Sequence, residues 1–411
     1  MSAQNKKTQT TPKPSNPPKT SSIAKTKPPT NPDVAKAQKK MEEVLITINR
    51  DFISLQDEEL KYNNILLRST LDSLILIMQK EDPLFKTLFE RLFYGGSFYD
   101  NLKVQNPDEF DIHLLMVLPS CEIHKSNTCK CVRVERSDRC GYVWFKTDKT
   151  YYAAISSWID SKGFVQTNLV LNWLKGVLNR ALNTLKTDHY SKANGGPKYH
   201  SESGPALTLR LQGKYGPIDI DMVAAFKFGP KYWPEAPFRK NPVASKPNFF
   251  IVPKKAKNFP QAEKYWRCSF QDQERELLEK QARLKPALRL LKKTRNNLKH
   301  DAVSSYALKN IALNQDAGFF DNRKTLSETF MGLLEQYRVC LKNQNISNYW
   351  YKKENLIGDK NPETLKIFYN EIERKMKQIE REQTTNPAVV AKIILKEGSQ
   401  EYESFMKTFG K

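Results

Sequence analysis

Two short segments of this chain each carry a pair of carboxylates separated by one large apolar residue, Glu109-Phe110-Asp111 and Asp219-Ile220-Asp221. On a β-strand, residues i and i+2 project from the same face, so each acid pair stands together while Phe110 or Ile220 turns into a core. Phe110–Leu118 ends at Pro119, and Ile218–Val223 is apolar apart from its two acids, so both read as strands. Charges beside a buried strand need partners. The pattern asks for a sheet whose acids share a cation, and a hard divalent ion such as Mg2+ or Mn2+, with its preference for oxygen ligands, answers that need.

Upstream lies Gly95-Gly96-Ser97, set between Phe93-Tyr94 and Phe98-Tyr99. Glycines allow a backbone to approach a phosphate closely, and Ser97 adds a hydroxyl. Each feature alone is commonplace; the ordered set of glycine turn, paired-acid strand and later acidic strand is not. Glu109, Asp111 and Asp221 form the donor inventory for two ions ~3.5–4 Å apart, which clamp the attacking and leaving oxygens of a phosphoryl transfer.

Periodicity supplies the framework. Val44, Ile48, Phe52 and Leu55 recur at helical spacing, predicting one long amphipathic helix over residues 35–67, with a second over Leu71–Met78. Cys131–Val134 and Gly141–Phe145 alternate as a hairpin, Asn168–Thr187 is helical, and Ala206–Leu211 joins Ile218–Val223 through a Gly213–Gly216 turn. Beyond Pro253 the chain is expected to be helical throughout, over Gln271–Ala282, Pro286–Asn296, Ser304–Leu313, Thr325–Lys342 and Pro362–Glu382. A mixed sheet followed by a helical half defines an α+β protein of two lobes with a cleft between them.

With 67 Lys and Arg against 45 Asp and Glu, the 411 residues carry a net charge of +22, which points to a polyanionic partner. The longest apolar run, Leu74–Met78, is far short of the ~20 residues of a membrane span. The polar N-terminus lacks the apolar stretch of a secretory signal. Residues 1–34 are basic and almost free of large apolar side chains, so a disordered tail is expected there. Cys121, Cys129, Cys131 and Cys140 crowd together with His124. They read as reduced thiols or as a zinc site rather than a disulfide framework, and the expected compartment is the cytosol.

At this point the residues meet a known pattern. GGSFYDNLKVQNPDEFDIHLL (Gly95–Leu115), GPALTLRL (Gly204–Leu211) and IDIDMVAAF (Ile218–Phe226) resemble the nucleotidyltransferase core of the cyclic GMP–AMP synthase / Mab-21 family. KYWRCSFQDQERELL (Lys264–Leu278), LRLLKK (Leu288–Lys293), VSSYALKNIAL (Val303–Leu313) and NISNYWYKKENLI (Asn345–Ile357) resemble its helical half, so the likeness spans residues 41–370. The resemblance implies a bilobal nucleotidyltransferase fold with a mixed β-sheet core, a long N-terminal spine helix and a helical C-terminal lobe. Its division would be a core lobe at 35–240 and a helical lobe at 241–411. It further implies ATP and GTP as substrates and a cyclic dinucleotide product. Glu109, Asp111 and Asp221 would hold the metals, with Asp219 a weaker candidate because that position is not acidic throughout the family. Ser97 would hold a phosphate, Arg267 and Ser269 would read a purine edge with Glu274 nearby, Lys292 and Ser305 would contact a triphosphate, and Tyr306 would stack on a base. An arginine fork suits a guanine-type edge, and a tyrosine ring suits any base.

DNA-sensing vertebrate members of the family carry a His-Cys-Cys-Cys zinc insertion where this chain has Leu277–Leu284, with no His or Cys. Invertebrate members lacking the insertion sense double-stranded RNA, so the resemblance implies double-stranded RNA as the activating ligand, with protomers paired along it. A-form RNA is bound by shape, phosphates and 2′-hydroxyls. Arg50, Lys61, Arg68, Arg239, Lys240, Lys254, Lys255 and Lys257 are the candidate surface. Two rivals stand beside this reading: a non-catalytic Mab-21-like interaction protein, and a template-independent RNA nucleotidyltransferase.

Overall fold

The structure is a computed structural model that describes residues 32–409, apart from 55–56, 105–107, 120–130, 149–150, 188–195, 257–258, 280–281, 317–318, 320 and 322. The basic tail up to residue 31, Lys257, and the candidate ligands Cys121, His124 and Cys129 lie outside the described residues.

A nine-stranded mixed sheet is built from β1 (Phe89–Gly95), β2 (Glu109–Met116), β3 (Val132–Arg136), β4 (Tyr142–Thr147), β5 (Lys198–Ser203), β6 (Ala206–Gly213), β7 (Gly216–Phe228), β8 (Phe249–Val252) and β9 (Tyr265–Ser269). The strand order is β1-β2-β7-β8-β9-β4-β3, with β6 on β7 and β5 on β6. β7 is long enough to serve both branches: its first part pairs with β6 and its last three residues with β8, while β2 runs parallel along its other edge. Period-2 alternation divides the faces. Phe110, Ile112, Leu114 and Met116 of β2, with Ile218, Ile220, Met222, Ala224 and Phe226 of β7, enter the main core. The opposite face carries the acids, and next to them a small apolar cluster of Phe93, Leu115, Ala206, Val223, Ala225, Phe250 and Val252.

The main-core face is covered by helices with matching stripes. In α5 (Thr167–Thr187), Val170, Leu174, Val177, Leu178, Ala181 and Leu185 recur at helical spacing and are buried. The N-terminal spine is broken where one helix was expected. α1 (Pro32–Ile48) widens into a π-turn over Asn49–Ile53 and stops at Ser54, whose backbone is extended and whose hydroxyl donates to the Asn49 carbonyl. α2 (Asp57–Glu81) then runs unbroken through the expected second helix, with Glu58 and Glu59 in its first turn complementing the helix dipole. Between the spine and β1 lies α3 (Pro83–Leu88), and after β1 a single turn, α4 (Gly96–Tyr99).

The C-terminal half is helical with one correction: Tyr265–Ser269 is strand β9, so Arg267 and Ser269 sit on the sheet and not on a helix. α6 (Gln271–Glu279), α7 (Leu284–Asn297), α8 (Ser305–Leu313), α9 (Leu326–Lys342), α10 (Pro362–Glu382), α11 (Ala391–Ile394) and α12 (Gln400–Phe409) follow. Local chemistry sets their starts: Ser304 caps α8, Thr325 and Glu328 form a capping box on α9, and Asn361 caps α10 ahead of Pro362. Glu42 of α1 accepts from the backbone N–H groups of Leu326 and Ser327 at 3.0 and 2.6 Å, tying the spine to the helical lobe. No described helix is long and apolar enough to cross a membrane.

Candidate active site

The sheet register assembles the acids. One rung crosses four strands as Gly95, Asp111, Asp221 and Thr208, and the next rung on the same face, two residues away, reads Glu109, Asp219 and Arg210. Thr208 donates to Asp221 Oδ1 at 2.6 Å. Arg210 donates two bonds to Asp219, at 2.7 and 2.8 Å. That fork neutralises Asp219, which leaves Glu109, Asp111 and Asp221 as the acid trio. Burial, then repulsion from Glu109 and Asp221, pushes the Asp111 carboxyl up to about 6. Burial also raises Asp221, against the Thr208 hydrogen bond. His113, next on the same face, is held neutral by burial, which pushes it down to about 4.

Gly96 takes φ +71°, and a Cβ built there would overlap the Asp111 carboxylate. The glycine turn is therefore seated directly on the central acid, with half-buried Ser97 beside it. Among the described residues, no three His, Cys, Asp or Glu side chains converge closely enough to hold a metal ion. The trio suits a hard divalent cation by donor type: all ligands are oxygens, and their mutual repulsion opposes full ionisation of Asp111. The cysteine reading is corrected at one position, since Cys131 is disulfide-bonded, while Cys140 is free.

The other candidates fall into two groups, the first packed against the segment that follows the turn. Lys292 of α7 is buried and donates to the Leu102 carbonyl at 2.6 Å; burial, then Arg295, Lys103 and Lys309, push it down to about 8. Arg289 reaches Asn101 at 3.1 Å, and Arg295 donates to Ser305 Oγ at 2.7 Å. Asp100, just after α4, is buried between Arg275 (3.1 Å) and Lys309 (2.7 Å), and Lys309 continues to Glu274 at 2.8 Å. Glu274 also accepts from the Tyr306 hydroxyl (3.2 Å) and from Trp350 Nε1 (2.9 Å). Tyr306 is 38% exposed, available as a stacking surface.

The second group holds Arg267. Its guanidinium makes a bidentate pair with Glu354, at 2.6 and 2.8 Å, and stands 5.2 Å from the centre of the Tyr142 ring. Burial opposes its charge, but Glu354 outweighs that and raises its pKa. Ser269 is half-buried two residues on, at the end of β9. Asp100, Thr208, Arg210, Arg275, Lys309 and Glu354 were not singled out from the sequence. Among them Asp100 lies nearest a segment with its own chemical signal, directly after the Gly-Gly-Ser-Phe-Tyr turn.

Residues 98–280 match the Mab-21 protein nucleotidyltransferase domain, and residues 283–374 match the Mab-21 protein HhH/H2TH-like domain. The chain is 36% identical over 385 residues to a cyclic GMP-AMP synthase-like receptor of Tribolium castaneum, spanning 89% of this chain and 94% of that one. It is 35% identical over 374 residues to the cyclic GMP-AMP synthase-like receptor of Aethina tumida, spanning 86% and 91%. This chain belongs to the Mab-21 family of cyclic GMP-AMP synthase-like receptors. The family's nucleotidyltransferase domain contains Glu109, Asp111, Asp221, Arg267, Ser269 and Glu274, and its C-terminal domain contains Lys292, Ser305, Tyr306 and Glu354. Ser97 lies one residue ahead of the matched range, and α11 and α12 lie beyond it.

Proposed function

We propose that the chain is a double-stranded-RNA-activated nucleotidyltransferase that converts ATP and GTP into cyclic GMP–AMP. The observation that carries this is the placement of Glu109, Asp111 and Asp221 on one sheet face against the Gly96 turn, with the fourth acid, Asp219, neutralised by Arg210. Nucleotidyltransferases generally use divalent metals, and this trio would hold Mg2+ or Mn2+. Such ions supply Lewis-acid stabilisation of the attacking hydroxyl oxygen and the departing pyrophosphate. Ser97, next to the Gly96 that sits on Asp111, would offer a phosphate its hydroxyl. Lys292 reaches a triphosphate by exchanging its bond to the Leu102 carbonyl, and Ser305 by leaving Arg295. Tyr306 stacks on a base while Glu274 fixes its hydroxyl. With Glu354 holding the guanidinium end, Arg267 reads a purine edge with its remaining donors, and Ser269 assists.

The linear dinucleotide would re-enter reversed and close. The proposed division is a basic tail 1–34, a core lobe 35–240 and a helical lobe 241–411 that lends β8 and β9 to the core sheet, and the proposed compartment is the cytosol. For RNA, the support is the net charge of +22, exposed Lys61, Arg68, Lys240 and Lys255, and the missing zinc insertion. Arg239 drops out of that surface, because it donates to the Tyr349 carbonyl and lies 4.0 Å from the Tyr349 ring centre. Paired protomers on a duplex are part of the same proposal.

The test is an incubation with ATP, GTP and Mg2+ or Mn2+, with long double-stranded RNA, double-stranded DNA or neither, read by chromatography and mass. A cyclic dinucleotide formed only with RNA is the expected result. Product only with DNA overturns the ligand, lengthened RNA overturns the reaction, and no product from folded, nucleotide-binding protein favours a non-catalytic relative.

A further inference from the structure

Beyond its repulsion of Lys292, Lys103 has no role in the chemistry above. Its Nζ stands 3.2 Å from Glu109 Oε2 and 3.3 Å from Asp108 Oδ1, and its side chain is only 13% exposed. The chain leaves it little choice. Leu102 and Val104 on either side are both buried in the main core, so the residue between them is turned towards the acids. The stretch is anchored as well: Leu102 donates its N–H to Ser97 at 2.8 Å and accepts from Lys292, while Arg289 holds Asn101.

We propose that Lys103 is a built-in counter-ion of the metal-binding carboxylates, competing with a divalent cation for Glu109 and thereby setting the affinity of the site for metal. This rests on the metal reading of Glu109, Asp111 and Asp221. An ammonium bonded to a ligand oxygen must give up that contact, or share it with an ion of the same sign, before the ion is bound. Lys103 belongs to the segment that begins at the Ser97 turn and is gripped by α7. Any rearrangement that draws this segment from the acids therefore also strengthens metal binding, which couples the position of the turn to the readiness of the site.

Mn2+ binding to full-length protein without nucleotide or RNA, followed by the paramagnetic resonance signal of free Mn2+, tests this without any activity readout. Lys103→Met keeps the aliphatic stem and removes the charge; it should tighten binding roughly three- to tenfold, with a smaller gain at high salt. Lys103→Arg should stay near wild type, and Asp111→Asn should lose the site. Lys103→Gln repeats the test if the Met variant does not fold. If the neutral variants bind Mn2+ no more tightly than wild type while Asp111→Asn abolishes binding, the role of Lys103 is overturned and the metal reading stands. If wild-type binding is insensitive to Asp111→Asn, the metal reading falls and the proposal with it.

Discussion

Asp111 and Asp221 are register partners on parallel strands β2 and β7, side by side on one face of the sheet. Burial, then Glu109 and Asp221, hold the Asp111 carboxyl at about 6. A carboxyl that binds its proton more tightly in the folded state loses stability as pH rises from its unfolded value, about 4, through about 6. For Asp111 the loss at neutral pH is at most about 3 kcal/mol. Chelator-treated Asp111→Asn should therefore melt above wild type at pH 7.5, and the gap should shrink as pH falls below 5. A gap that is constant across that range in thermal melts would show that Asp111 ionises freely.

Gly96 has no room for a side chain. Its φ of +71° disfavours any L-residue, and a Cβ would overlap the Asp111 carboxylate. Gly96→Ala should lower stability by about 1–3 kcal/mol and displace the central acid. Product formation should fall at least tenfold more than in Gly204→Ala, where φ is +59° but a Cβ meets nothing within 4 Å. Equal losses in the two variants would mean that backbone strain, and not the contact with Asp111, is what matters.

The acid-bearing strands were legible because strand periodicity is local: Glu109 with Asp111, and Asp219 with Asp221, can be placed on a face from spacing alone. The neutralisation of Asp219 was not, since Arg210 meets it only through the β6–β7 pairing. Tyr265–Ser269 was absorbed into a helical half because five residues with buried Tyr265 and Trp266 show no period that separates strand from buried helix. The break after Ile53 was hidden by an apolar spacing that continues into Leu55. Glu354 and Lys309 act across long sequence separations, so their partners leave no trace in any window of the chain.

The Arg267–Glu354 pair joins β9 to the loop between α9 and α10, with the two side chains 15% and 18% exposed. Asn348 donates to Glu354 as well, at 2.7 Å, so the carboxylate also fixes its own loop. Glu354→Gln leaves a buried guanidinium without its counter-charge and should cost about 2–4 kcal/mol. If the pair orients Arg267 for a purine, KM for one nucleotide should rise more than for the other. Equal changes for ATP and GTP would reduce Glu354 to a purely structural tie.

Asp100 is the point where the glycine turn meets the helical lobe. Burial opposes its charge, and Lys309 and Arg275 outweigh that, holding its carboxyl below the ordinary value. Its contribution to stability is therefore present above the unfolded pKa, about 4, and disappears as pH falls through the lower folded value. Asp100→Asn keeps the shape but leaves Arg275 and Lys309 short of one negative charge, with Glu274 alone to answer Lys309. The expected loss is about 3 kcal/mol at neutral pH, narrowing below pH 4. Because Arg275 also donates to the Tyr94 carbonyl at 2.7 Å, next to the turn, the variant should loosen Gly95–Tyr99 as well. Amide hydrogen exchange should then be faster over Gly95–Tyr99 while the β6–β7 hairpin stays protected. Uniform exchange across both would mean that Asp100 supports the whole fold and not the turn.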